Sequence, residues 1–242
     1  MRTGNPTLTD KAFTQEGADF GETMTLNGTV NKTFLLLLLT AGSAYFTWDM
    51  YMEDGNTIVW VAVGSIGALI VGLIASFFKK STPITAPIYA ILQGLALGGI
   101  SASSEAEFPG IVLNAVLLTF GTLLALLLTY RSGLIRATEN FKLGLVSCTF
   151  GICLVYIIDL VLRLFGKEVP YIHGSGTLGI IVSLVIVVIA ALNLVLDFDF
   201  IESGAQQGAP KYMEWYGAFG LMVTLVWLYI EVLRLLSKIG KR

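Results

Sequence analysis

Seven apolar stretches dominate this chain, each close to the roughly 20 residues a helix needs to cross a bilayer, and they leave little choice of fold. They run over 32–48, 57–78, 84–101, 111–130, 143–165, 178–200 and 217–239, joined by short connections. In hydrocarbon every backbone N–H and C=O must be satisfied internally, and a helix does this within each segment. Short connections make consecutive helices antiparallel neighbours. The expected fold is therefore an all-α integral membrane protein with seven transmembrane helices. Composition agrees: 55% of residues are hydrophobic and only 13% charged, against about a quarter charged in a soluble domain, and mean hydropathy is +0.77. The lipid bilayer is the expected partner of the outer helix faces.

Residues 1–31 form a polar tail rich in Gly and Thr, and 32–242 form the transmembrane domain. The tail has no apolar core behind a basic start, so it does not read as a secretory signal. Arg2, Lys11, Lys32, Lys79, Lys80, Arg131, Arg136, Lys142 and Lys211 all fall on the side of the N-terminus. The loops 49–56 and 102–109 carry acids and no bases, and the loop after Phe165 has only Lys167. Because Lys and Arg collect in cytoplasmic loops, the N-terminus is expected in the cytoplasm. Seven crossings then put Lys238, Lys241 and Arg242 on the other side, against the same rule.

Several function classes drop out. A net charge of −2 argues against nucleic acid. Cys148 and Cys153, five positions apart in one apolar run, turn to different helix faces and suggest neither a disulfide nor a metal pair. His173 is the only histidine, so His-based zinc or triad chemistry has no basis. HExxH, GxSxG and Walker motifs do not occur, nor the Gly-x-Gly-Asp of an intramembrane aspartyl hydrolase, so no enzyme and no cofactor is expected. Gly94 and Gly98 form a GxxxG step, and Gly64, Gly67 and Gly72 recur in the second span; both patterns suit close helix packing. Trp48, Tyr51, Trp60, Tyr130, Trp215 and Tyr216 lie near span ends, as an interfacial belt requires.

The informative residues are the ionisable ones inside the apolar runs, where charge is expensive. Asp159 and Arg163, four apart, read as a local ion pair. Lys79 and Lys80 close the second span and read as snorkelling anchors. The sixth span ends in ALNLVLDFDFIE, with Asp197, Asp199 and Glu202, and Glu231 interrupts LVWLYIEVLRLL in the seventh. Steps of about 100° put Asp197 and Asp199 on different faces, so only one of them can meet a given partner. Asp199 and Glu202 also have a plain reading as solvated groups at the span's end, and Glu231 as half of an ion pair with Arg234.

LVLDFDFIE, LYIEVLRLL and, in the third span, IYAILQGLALGGIS together resemble the Bax inhibitor-1 (transmembrane Bax-inhibitor-motif) family, in its longer bacterial members. The resemblance runs over most of 33–242 in span order and leaves the tail outside. It implies six helices arranged around a central C-terminal seventh, in a bacterial plasma membrane. It also implies a pH-sensitive calcium leak gated by two acids that share a proton. Carried over by position, the pair is Asp197 and Glu231, with Asp199 beside them, and Lys79 or Lys80 is the basic latch. The same two acids are then the candidate metal ligands, with calcium as the permeant or bound ion, since a hard cation prefers carboxylate oxygens and competes with the proton.

This chain departs from the family pattern in having Glu as the second acid and Lys as the latch. Lysine is a point charge and cannot form the bidentate fork of arginine. The 34 positions from Asp197 to Glu231 also exceed the family spacing, and place Glu231 about 28 Å along a helix that starts near Tyr212. Glu214, in KYMEWY, is therefore the alternative partner for Asp197 or Asp199. The alternative function is a membrane regulator that binds another integral membrane protein, such as a quality-control protease, through the polar tail.

Overall fold

The computed structural model describes residues 22–166 and 174–241. Most of the polar tail, together with Lys167, His173 and Arg242, lies outside them. Seven helices follow in order: α1 (Leu26–Asp54), α2 (Ile58–Phe77), α3 (Thr82–Glu107), α4 (Ile111–Arg131), α5 (Glu139–Leu164), α6 (Thr177–Gln206) and α7 (Met213–Gly240). A short 3₁₀ turn, Lys79–Ser81, joins α2 to α3. No strand occurs among the described residues, and the chain is an all-α membrane protein.

The helices run past the apolar stretches that mark them because local capping carries them into polar sequence. Thr25 begins α1 with its hydroxyl accepting the Gly28 N–H at 3.0 Å, which fills one of the donors a helix start leaves open. Gly55, at φ 67°, ends it in the left-handed turn that glycine adopts without strain. α4 borrows its cap from α3. The Glu105 carboxylate accepts the N–H groups of Gly110 at 2.6 Å and Val112 at 3.0 Å.

Six helices are long and apolar enough to cross a membrane; α1 falls short of that mark, and its packing gives the reason. Thr29, Thr33, Leu36, Thr40 and Thr47 form a buried stripe at helical spacing. The hydroxyls of Thr29, Thr33 and Thr47 bond back to their own helix, while Thr40 donates across to Ala90 O of α3 at 3.0 Å. On α3, Gly94 and Gly98 meet this stripe. A Cβ at Gly94 would stand 2.3 Å from Thr40 O, and one at Gly98 would stand 2.1 Å from Ala44 O. Small residues let two backbones close to van der Waals distance where burial in lipid supplies no attraction of its own.

α7 is the core. It packs directly on α1, α3, α4 and α6. It touches α2 where Phe219 approaches Gly72, and α5 through the Tyr156 hydroxyl. Its Ala218, Met222, Leu225, Leu228 and Val232 are almost wholly enclosed. The outward faces of α2, α4 and α5 carry exposed Ile, Leu, Val and Phe, a surface far larger than a water-soluble monomer tolerates and suited to lipid. Cys148 and Cys153 are both free and exposed thiols.

Contacts between ends establish the alternation. Thr23 pairs with Pro210 and the Met24 N–H donates to Ala209 O at 2.7 Å, so the start of α1 lies beside the α6–α7 turn. At the opposite end Lys241 pairs with Glu107 at 3.2 Å, and buried Lys238 donates to Gly179 O and the Ser183 hydroxyl. Lys238 and Lys241 thus both have partners on neighbouring helices, and seven alternating helices accommodate them.

Candidate functional site

Between α2 and α6, with α3 and α7 as its floor, lies a cleft of about 1080 Å³. α2 packs on α3 and α6 on α7, and the space between the two outer helices remains open. The near rim, toward the α6–α7 turn, holds Lys142, Asp199, Ser203, Gln207 and Tyr216. Deeper, Asp197, Thr224, Gln93 and Ser65 line the cleft from four helices. At 1.5 Å per residue these four lie about 13–18 Å from the near ends of their helices, close to mid-bundle. Beyond them the lining turns apolar, with Ile100 and Ile230 farthest in.

Asp197 is the singular group of this cleft. Its Oδ2 is buried and, among the described residues, has no hydrogen-bond partner. Oδ1 lies 3.9 Å from where a Cβ on Gly220 would stand, so the glycine leaves room for the carboxylate against α7. Thr224 is beside the acid, but its hydroxyl donates to Gly220 O of its own helix at 3.3 Å. A buried acceptor left open is costly and calls for an explanation.

The other predicted acids have partners. Asp199 pairs with Lys142 at 2.8 Å, joining the ends of α5 and α6. Glu202 accepts the Tyr130 hydroxyl at 2.6 Å. Glu231, only 1% exposed, accepts the Tyr156 hydroxyl at 2.7 Å and takes both oxygens to Arg234 at 3.0 and 3.1 Å. The plain ion-pair reading of Glu231 is the one observed, and α5 supplies a tyrosine that the sequence pattern did not mark. Asp159 likewise pairs with Arg163 at 3.2 Å.

The expected Asp197–Glu231 pair is therefore not formed. Thr224 is the α7 residue at the level of Asp197, and Glu231 comes seven residues later, about 10 Å farther along the axis. The two acids do not share a metal site either, and no group of three or more acids, His or Cys is arranged for a metal among the described residues.

Glu214 is not the substitute partner. It turns toward the start of α1, wholly buried, and accepts the N–H and hydroxyl of Thr25 at 2.9 and 2.8 Å. Lys32 bonds to its other oxygen, and Lys211 approaches at 3.3 Å. Beside Glu214, the Lys211 amine has its pKa raised, chiefly by that hydrogen bond. Gly28 makes room for the cluster, since a Cβ there would sit 2.2 Å from Glu214 Oε1. This lock of α1 onto the α6–α7 turn was missed in the sequence, where Lys32 reads only as a topology charge.

Lys79 and Lys80 are exposed, and neither latches an acid pair. Lys79, at the start of the 3₁₀ turn, lies 5.2 Å from the centre of the ring of Tyr216, a residue of the cleft's rim.

A search of curated proteins and a search of solved structures returned no match. The profile of the family described as Bax inhibitor 1 like matches residues 5–241, nearly the whole chain. With α7 at the core of an all-α bundle and this match over nearly the whole length, the chain belongs to the Bax inhibitor 1 like family.

Proposed function

We propose that this protein is a proton-sensitive cation leak pathway, with calcium as the candidate ion, and that Asp197 alone is its sensing group. One observation carries the reading: a carboxylate at mid-bundle that lines an open cleft and has one oxygen buried without a partner among the described residues. A proton and a cation compete for such an oxygen. The rim charges Lys142 and Asp199 neutralise each other, and Tyr89 and Tyr216 are the remaining titratable groups of the lining.

The apolar layer at Ile100 and Ile230 is the closed gate of this scheme. Opening it requires α7 to shift, and the bonds of Glu231 to Tyr156 and Arg234 hold α7 where it is. Glu231 thus acts on position and not as a second proton acceptor. The Lys- and Arg-bearing end faces the cytoplasm of a bacterial plasma membrane in this proposal, and the protein is a conduit, not an enzyme.

The test is calcium flux into liposomes containing purified protein, scanned from acidic to alkaline pH. Flux that varies with pH in the wild type and loses that variation in Asp197→Asn supports the reading. An unchanged pH profile in Asp197→Asn overturns it, and so does the absence of flux from folded protein at every pH.

A further inference from the structure

We infer that the cleft at Asp197 is a binding site for a protonated amine carried on an apolar body. The inference rests on the cleft being the functional site but not on ion flux through it.

Size comes first. A volume of about 1080 Å³ is at the upper end of what pockets for drug-sized molecules occupy, on the order of 300–1,000 Å³, and far more than a bare ion fills. Chemistry narrows the occupant. Holding calcium in place takes about six to eight oxygen ligands, and the deep part of the cleft offers one carboxylate, Asp197, with only amide and hydroxyl groups around it, so calcium would pass through and a different ligand would reside there. No cation pairs with the Asp197 carboxylate among the described residues, and its enclosed Oδ2 has no donor from the protein. An ammonium N–H supplies that donor with a compensating charge, and charge-assisted bonds of this kind are about twice as strong as neutral ones.

The walls suit the rest of such a molecule. Leu69, Leu73, Phe200 and Val223 give apolar surface, and Tyr89 and Phe219 stand edge to face at 5.0 Å between ring centres on the floor. Aromatic faces attract ammonium groups, and the rim already shows one instance, the Lys79 amine over Tyr216. The remaining charges at the rim, Lys142 and Asp199, are committed to each other, so the deep carboxylate is the one left to choose a ligand's charge. The flank between α2 and α6 offers an apolar body a way in from the bilayer.

The test is calorimetric titration of full-length protein in phosphatidylcholine nanodiscs, with empty nanodiscs as the partition blank. Three probes of one shape are compared at neutral pH: dibenzylamine, its quaternary form dibenzyldimethylammonium, and the neutral dibenzyl ether. Saturable binding of dibenzylamine is expected, with the ether at least tenfold weaker and the quaternary ion in between, because it keeps the charge but has no N–H. Asp197→Asn should weaken dibenzylamine at least tenfold and leave the ether unchanged. Repeating the titration with phosphatidylethanolamine in the disc separates the sources: competition assigns the site to a lipid headgroup amine, and its absence to a free amine. Equal binding of amine and ether by the wild type overturns the inference without recourse to any variant, as does no saturable binding of the amine. Binding without calcium flux refutes the leak and leaves this site standing; flux without binding does the reverse.

Discussion

Replacing Gly94 or Gly98 by alanine tests whether the α1–α3 seam is held by backbone contact. At Gly94 the added methyl would lie 1.9 Å from Ser43 Oγ and 2.3 Å from Thr40 O; at Gly98 it would lie 2.0 Å from Thr47 Oγ1 and 2.1 Å from Ala44 O. A hydroxyl can turn away, but the carbonyls belong to the α1 backbone, so the helices must separate by about 1 Å to reach ordinary contact. Inserting a methylene into a packed core costs about 1–3 kcal/mol. The separation also strains the Thr40 to Ala90 hydrogen bond, whose loss adds about 1 kcal/mol. Each variant should lose about 2–4 kcal/mol in reversible unfolding of the detergent-solubilised protein. Gly121→Ala is the control, because nothing stands within 4 Å of its Cβ. It should be neutral or gain up to about 1 kcal/mol from helix propensity. If Gly94→Ala and Gly98→Ala unfold like Gly121→Ala, the close seam does not exist.

Other perturbations separate roles that the sequence left together. Tyr156→Phe removes the neutral donor to Glu231 and should cost about 1–2 kcal/mol, while the pH profile of flux stays that of the wild type; a profile altered as in Asp197→Asn would make Glu231 a sensing group after all. Glu214→Ala strands Lys32 and the two Thr25 donors and should destabilise by about 2–3 kcal/mol. Gly28→Ala should reproduce part of that loss, read by unfolding and by faster proteolysis near residue 25. Lys211 has a raised pKa through its bond to Glu214. Its contribution is therefore full below the lysine's unfolded value and lost as alkaline pH rises through the folded one. The melting temperature of the wild type should fall over that interval more than that of Lys211→Met, and parallel curves would refute the assignment.

The seven helices, the close approach at Gly94 and Gly98, the Asp159–Arg163 pair and the expense of an acid at Asp197 were all legible in the sequence. Each rests on a local rule: hydrocarbon enforces helices of a set length, a missing Cβ permits close approach, and residues four apart share a helix face. The helix ends were legible only in part, since Thr25, Glu105 and Gly55 extend α1 and cap α4 through bonds that apolar length does not reveal.

Which acids meet was decided by the tertiary structure alone. Asp197 and Glu231 lie on helices whose relative height depends on the α6–α7 turn, and that turn sets Thr224, not Glu231, opposite Asp197. Glu231 is claimed by Tyr156, 75 positions away, and Glu214 by Thr25 and Lys32 across α1. Sequence marks where a charge is costly because that cost is a property of one segment. The partner that offsets the cost comes from another helix, and only packing brings the two together.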